Sequence, residues 1–331
     1  MWAPLPASLQ QPDILPLARR SGRGVRGEGA PDHSAAAQYN ACMRIIAALP
    51  LLFALSVACT GDDAADFTPA TPTAAPSRGP ALYLAFGDSL SAGDGASVED
   101  ETGFVPLVHA ALPQELALLN LGKPGDDSFE LLDGVLLDRG VTEIESRLND
   151  GVDGNEVRVV TLEIGGNDAL DTYLAMVGRG DCPSVTESFQ RPQCVELLDA
   201  LASYRPNLRE ILARIRAAGP DVPIFLMTVY NLFSLLSGQD LDGDGIPDEI
   251  LDEMGELLLE GAPGTAFPEG VNDFIRSEGA VSGATVVDWF PIFDGKEGAL
   301  ITMDLIHPND QGYRLMADAI IDAARAQGLL D

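Results

Sequence analysis

Basic residues are scarce in this chain: 20 Lys and Arg stand against 51 Asp and Glu, a net charge of −31 over 331 residues. Neutralising a phosphate backbone requires clustered cations, so nucleic acid is excluded as a partner. The acidic excess reads instead as a solvated surface that keeps the protein soluble. Histidine is scarcer still, with three residues, and cysteine has four, so any general base or metal site must draw on a short list. The apolar run Ile45–Val57 is too short to cross a hydrocarbon layer of roughly 30 Å comfortably as a helix. No internal repeat is visible. What the chain does have is apolar content: at 46% hydrophobic it can bury a substantial core, and its length allows one large or two ordinary domains.

The first eighty residues do not read as part of that core. Residues 1–42 are rich in Pro, Gly, Ala and Arg without periodicity, a leader that is either non-native or disordered. Met43, Arg44 and the apolar run after them have the order of a secretory signal over residues 43–58, which places the expected start of translation at Met43. The signal ends in Ser56-Val57-Ala58-Cys59, which resembles the lipobox of bacterial lipoproteins and would make Cys59 a lipidated first residue. It departs from that pattern in having Ser three places before the Cys. Ordinary cleavage near Ala58 is the alternative. Residues 59–80, rich in Pro, Thr, Ala and Asp, form a lipoprotein-like tether with no means of building a core. The expected setting is the bacterial cell envelope, with membrane association through Cys59. Setting Cys42 and Cys59 aside leaves Cys182 and Cys194, which in an oxidising compartment read as a disulfide; closing so short a loop stabilises by about 3 kcal/mol in the chain-entropy model.

From residue 81 to 331 the pattern is that of one α/β domain. Ala81–Phe86, Leu116–Leu121, Val157–Ile164, Val222–Tyr230 and Ala284–Trp289 are nearly continuous apolar runs, as strands buried on both faces of a parallel sheet require. Helical patterns lie between them, at Gly103–Leu112, Ser128–Leu137, Val141–Asn149, Val195–Ala218, Val271–Ser277 and Asn309–Gln327. Alternation of this kind implies right-handed crossovers and a three-layer domain, in which chemistry gathers at the carboxyl ends of the strands.

Three such ends carry suitable residues. The first strand runs into Gly87-Asp88-Ser89-Leu90-Ser91, a Gly-flanked turn that would hold the Ser89 hydroxyl exposed; the plainer reading is that Asp88 and Ser89 cap the next helix. A serine hydroxyl needs an adjacent base, usually His. His33 falls in the leader, and His109 sits in a helical run where a structural histidine is expected. His307 remains, in Asp304-Leu305-Ile306-His307-Pro308-Asn309, where Asp304 three places earlier can orient one ring nitrogen if the segment turns. The third strand ends in Gly165-Gly166-Asn167-Asp168, so the Asn167 amide can serve a developing oxyanion. Gly125, after the second strand, can aim its N–H at the same point.

GDSLS at 87–91, Gly125 following strand-end Asn120, GGND at 165–168 and DLIHPN at 304–309 resemble, in order, the four blocks of the SGNH or GDSL-type hydrolases. The resemblance implies a flavodoxin-like parallel sheet of about five strands and ester hydrolysis through an acyl-enzyme, with no cofactor for catalysis. It implies Ser89 as nucleophile, His307 as base and Asp304 as its orienting carboxylate. The Ser89 N–H, the Gly125 N–H and Asn167 would form the oxyanion hole. The Cys182–Cys194 pair also looks like the disulfide-bearing secreted branch.

Outside those blocks, Asp240, Asp242, Asp244, Ile246 and Asp248 lie in the run DLDGDGIPD, which resembles the calcium loops of thrombospondin type 3 repeats. Alternating carboxylates around a Gly turn suit the six to eight oxygen ligands of Ca²⁺. The twelfth position is Leu251 rather than the Glu of an EF-hand, with Asp252 or Glu253 as substitutes, and an unliganded acidic turn is the alternative. A structural Ca²⁺ here would order a 231–265 insertion, whose Leu232, Phe233, Leu235 and Leu236 either line an acyl pocket or pack. Three functions therefore stand: an esterase or lipase acting on a small-molecule or lipid ester, an O-deacetylase of carbohydrate or cell envelope, and a calcium-dependent surface binding protein with a vestigial site.

Overall fold

The computed structural model of the chain describes residues 79–113, 115–178, 192–236, 238, 251–265 and 267–330. The expected signal, tether and Cys59, together with Cys182 and the calcium run at 240–248, lie outside the described residues. Five strands form one parallel sheet: β1 Leu82–Gly87, β2 Ala117–Gly122, β3 Val157–Leu162, β4 Ile224–Met227 and β5 Thr285–Val287. Their order is β2-β1-β3-β4-β5, the flavodoxin-like arrangement, in which strand order reverses between β1 and β3 and opens a crevice at their carboxyl ends. β1 is buried along its whole length, because it is central and covered on both faces.

Helices Val135–Leu148, Tyr204–Ala218 and Val271–Ser282 pack in succession over one face, and Phe104–Ala111 and Asp310–Ala326 pack together over the other. The expected five-stranded α/β domain is therefore present, with shorter strands at its second edge. β4 stops at Met227 because the next backbone groups find a side chain: the Asn272 carboxamide accepts from Val229 N–H at 2.8 Å and donates to Val229 C=O at 2.9 Å. β5 stops at Val287, after which Trp289 N–H donates to Thr228 Oγ1 at 2.8 Å.

Two expected helices are each divided, and each break has a local cause. The pattern over 128–137 is interrupted at Gly134, extended at φ −90° and ψ 161°, between Ser128–Asp133 and Val135–Leu148. The pattern over 195–218 separates into Pro192–Leu201 and Tyr204–Ala218. Pro206 has no N–H for the carbonyl four residues back, which suits only the first turn of a helix, so the second helix must begin just before it. Two further helices of ten residues or more fall where no helix was expected: Gly166–Gly178 starts inside the GGND block, and Leu251–Glu260 lies in the 231–265 insertion.

Candidate active site

β1 delivers Ser89 to the crevice. Gly87 is required there by close approach, since a Cβ would lie 2.1 Å from Ser91 Oγ and 2.5 Å from the Glu163 carbonyl oxygen. Asp88 Oδ1 accepts from Leu90 N–H at 2.9 Å, capping the single helical turn Ser89–Ala92, and Ser91 Oγ donates to Phe86 C=O at 3.1 Å. From β2, Asn120 Nδ2 donates to Ser91 C=O at 2.7 Å. The nucleophile turn is thus tied to both β1 and β2.

His307 reaches Ser89 from the opposite direction. Its Nε2 lies 2.9 Å from Ser89 Oγ, and its Nδ1 lies 2.7 Å from Asp304 Oδ2. The turn that this spacing requires is made at Leu305, the one non-glycine with positive φ (66°) among the described residues, a conformation that costs a Leu roughly 1–2 kcal/mol. Asp304 itself compensates: its Oδ1 accepts from Ile306 N–H at 3.0 Å, His307 N–H at 2.9 Å and Thr302 Oγ1 at 2.7 Å. Burial opposes ionisation of Asp304, but the bonds from His307, Thr302 and the two N–H groups outweigh it and hold its carboxyl well below the usual range. An ionised Asp304 accepts a hydrogen bond from Nδ1–H, which keeps the proton on that nitrogen and leaves Nε2 free to accept from the Ser89 hydroxyl. Burial pulls the His307 imidazole down, and the Asp304 hydrogen bond and charge, aided by Asp94 and Asp88, outweigh it and raise it above its ordinary value.

From β3, Asn167 Nδ2 donates to Asp126 C=O at 2.8 Å and to Asp88 Oδ2 at 3.2 Å. The first bond fastens the loop that bears Gly125 to the end of β3. Gly125 is solvent-exposed at φ 82° with open space about it. Asp168 fastens the same loop from its far side, accepting from Ser128 N–H at 2.9 Å and Oγ at 2.6 Å; burial, partly offset by those bonds, pushes Asp168 up to about 7.

A small cleft, partly open to solvent, lies between these elements. Ser89, Asn167 and His307 line one side, and Leu170, Val229, Leu232 and Ile306 make an apolar wall. Of the four apolar residues expected either to line a pocket or to pack, Leu232 lines it. Phe233 is buried and stacks on Tyr173 at 4.3 Å between ring centroids, and Leu235 and Leu236 pack on the core.

His109 is a structural helix histidine, its Nε2 2.8 Å from Leu116 C=O. Asn309 caps the last helix through Gln311 and Gly312 N–H. Cys194 is buried, and its expected partner Cys182 lies outside the described residues, as do all five expected calcium ligands. Among the described residues, no group of three or more His, Cys, Asp or Glu could hold a metal ion. Two site residues escaped the sequence reading. Tyr230 lines the cleft and donates its hydroxyl to Ile306 C=O. Glu163 is fully buried beneath Asp88; its signal was a lone charge in the otherwise apolar end of β3.

A model of the GDSL-like Lipase/Acylhydrolase family matches residues 85–315. The chain is similar to the spore germination lipase LipC of Bacillus licheniformis, 22% identical over 247 residues that cover 72% of this chain and 93% of that protein. Among solved structures it resembles the lipase Lip_vut3 from a goat rumen metagenome, with a TM-score of 0.51 and 20% identity over 73% of this chain and 97% of that one. An extracellular lipase from Streptomyces rimosus gives a TM-score of 0.48 and 19% identity over 73% and 99%. At these identities the structural likeness bears on the fold alone.

Proposed function

The chain belongs to the GDSL-like Lipase/Acylhydrolase family, and from that membership we propose that it hydrolyses carboxylic esters through an acyl-enzyme on Ser89. The observation that carries this reading is the continuous relay Asp304 Oδ2–His307 Nδ1 at 2.7 Å and His307 Nε2–Ser89 Oγ at 2.9 Å. In the first half-reaction His307 Nε2 takes the hydroxyl proton as Ser89 Oγ bonds to the ester carbonyl carbon. The resulting imidazolium, held by Asp304, then returns that proton to the departing alcohol as the carbon–oxygen bond breaks. Water repeats the sequence on the acyl-enzyme and releases the acid.

The oxyanion is assigned to the Ser89 and Gly125 N–H groups and Asn167 Nδ2. Asn167 already donates to two protein acceptors, and the longer bond, to Asp88, is the one that an oxyanion would replace or share. The apolar wall of Leu170, Val229, Leu232 and Ile306 supports an ester with an aliphatic acyl group over an acetylated sugar. Export, lipid attachment at Cys59, the Cys182–Cys194 disulfide and a structural Ca²⁺ at 240–248 are part of the same proposal and rest on the sequence motifs.

The test is labelling with a fluorophosphonate probe alongside hydrolysis of p-nitrophenyl esters of increasing chain length. Ser89→Ala is expected to abolish labelling and lower kcat by at least about 10⁴-fold, and rates are expected to persist beyond acetyl. Labelling of Ser89→Ala at the parental level would reject the nucleophile, and activity confined to acetyl esters would move the reading to a deacetylase.

A further inference from the structure

The proposed reaction employs the side chains of Ser89, His307, Asp304 and Asn167, yet a pair of carboxyl groups beneath them takes no step in it. Asp88 and Glu163 are each 2% exposed. They meet because β1 and β3 are neighbours: Glu163 N–H donates to Phe86 C=O at 3.1 Å, continuing the ladder one step past β3. That step brings Glu163 Oε2 to 3.5 Å from Asp88 N–H, while Glu163 Oε1 has no hydrogen-bond partner. Each Asp88 oxygen accepts one N–H, Oδ1 from Leu90 and Oδ2 from Asn167 Nδ2, which leaves a lone pair on each for a further donor. One carboxylate therefore touches both the turn that presents the nucleophile and the amide assigned to the oxyanion.

We propose that Glu163 is a positioning residue of this site: its carboxyl shares one proton with Asp88 and so holds the Asp88 carboxylate where it caps the Ser89 turn and meets Asn167. The inference rests on the reading of Ser89 as nucleophile for its catalytic consequence, but not for the shared proton itself.

The chemistry is that of two acids in one dry place. Ionising both side by side without a cation is costly, and a neutral Asp88 would be the poorer acceptor for its two N–H donors. The groups that face the pair are His307 and Asp94 towards Asp88, and the hydroxyls of Tyr204, Tyr230 and Tyr313 towards both. Burial first, and the Asp88 charge second, push the Glu163 carboxyl well above the usual carboxylate range. Burial also raises Asp88, but the Glu163 hydrogen bond, the Leu90 N–H and the His307 charge oppose that rise. Glu163 therefore keeps the proton and donates it to an ionised Asp88. Removing the proton would set two buried carboxylates against each other, displacing Asp88 and with it the Ser89 turn and the Asn167 amide. Misplacement by about 1 Å is enough to cost on the order of 100-fold in rate.

The experiment compares the purified parent with Glu163→Gln and Glu163→Leu, following kcat and KM on a p-nitrophenyl ester and the thermal midpoint, all from pH 5 to 10. Glutamine donates a hydrogen bond without titrating, so E163Q should keep kcat within about threefold at neutral pH and lose the decline that Glu163 ionisation imposes on the parent as pH rises. Leucine leaves Asp88 without its donor, so E163L should lose roughly 10- to 100-fold in kcat with KM little changed. The thermal arm requires no activity. A carboxyl raised in the folded state contributes stability fully below its ordinary value of 4.5 and loses it as pH rises through the folded value. The parental midpoint should therefore fall relative to that of E163Q as pH rises from 4.5 towards the folded value, by a few degrees. E163Q curves parallel to the parent in both rate and midpoint would overturn the proposal, as would E163L with parental kcat; should E163L fail to fold, the E163Q curves decide. An inactive parent with the expected thermal divergence would instead indict the hydrolase reading and leave the shared proton standing.

Discussion

The two halves of the catalytic relay are held in opposite ways. Ser89 sits on the end of a fully buried strand, with hydrogen bonds reaching its turn from β1 and β2 and Glu163, one residue past β3, packed below. His307 and Asp304 lie on a loop whose side chains keep 20% and 46% of their exposure. That loop is organised by its own short-range bonds, from Thr302 to Asn309, around a single strained residue. The nucleophile's position is thus a property of the whole sheet, whereas the base's position is a property of about eight consecutive residues and one carboxylate. Damage to the core should therefore misplace Ser89, and damage to Asp304 should misplace His307 while the fold stands.

The sharpest way to break that contrast is Asp304→Asn. The amide cannot accept the Nδ1 proton and bond the three local donors as the carboxylate does, so the imidazole loses both its tautomer and its orientation. The expected loss in kcat is on the order of 1000-fold, with a thermal midpoint that falls far less than it would for a core substitution. The pH profile supplies the sign. His307 is raised above its ordinary 6.5 by Asp304 against burial, so the acidic limb of kcat/KM, where the base is protonated, should lie above pH 6.5 in the parent and move down in Asp304→Asn. Stability carries the matching signature. The Asp304 contribution, from a lowered carboxyl, is present above 3.8 and fades as pH falls; the His307 contribution, from a raised imidazole, is present below 6.5 and fades as pH rises through its folded value. An acidic limb unchanged by the substitution would mean that the loop does not depend on Asp304.

Asn167→Ala tests the sheet-held half at its outer edge. It removes one donor from the assigned oxyanion hole and also frees the Gly125 loop from its bond at Asp126 C=O. A loss of about 100- to 1000-fold in kcat is expected, with KM within a few-fold. Asp168 holds that loop independently through Ser128, so protection of the Ser128 amide from hydrogen exchange should persist. If it collapses as well, the loop depends on Asn167 rather than on Asp168.

The same contrast explains what the sequence made legible. Ser89, His307 and Asn167 are each within a few residues of a run whose apolar character or cap is unmistakable, and Asp304 and His307 are joined by a contact only three residues long. Such features are written locally. Glu163 and Asp88 form a pair 75 residues apart that exists only because β3 lies beside β1, and strand order is a long-range result. Helix breaks at Gly134 and before Pro206 were visible as residues but outweighed by the periodicity around them. The bonds that end β4 early came from Asn272, on a helix more than forty residues away. Residue type thus announced the chemistry, while side-chain bonds across the sheet determined which polar groups support it.

The smallest expected effect belongs to a bond that, besides the His307–Ser89 contact, ties the His307 loop back towards the sheet. Tyr230 follows β4, stacks on Phe293 at 4.2 Å between ring centroids, and gives its hydroxyl to the Ile306 carbonyl, next to His307. If the loop is self-sufficient, Tyr230→Phe should cost only the net worth of one buried hydrogen bond, about 1 kcal/mol of stability, and leave kcat within about threefold, because Asp304 alone sets the imidazole. The ring stays in place, so the stack and the cleft wall are unchanged and any loss of rate must come through Ile306. A fall of 100-fold or more at an unchanged thermal midpoint would show that the base, like the nucleophile, is positioned from the sheet, and the distinction between the two halves would fail at that hydroxyl.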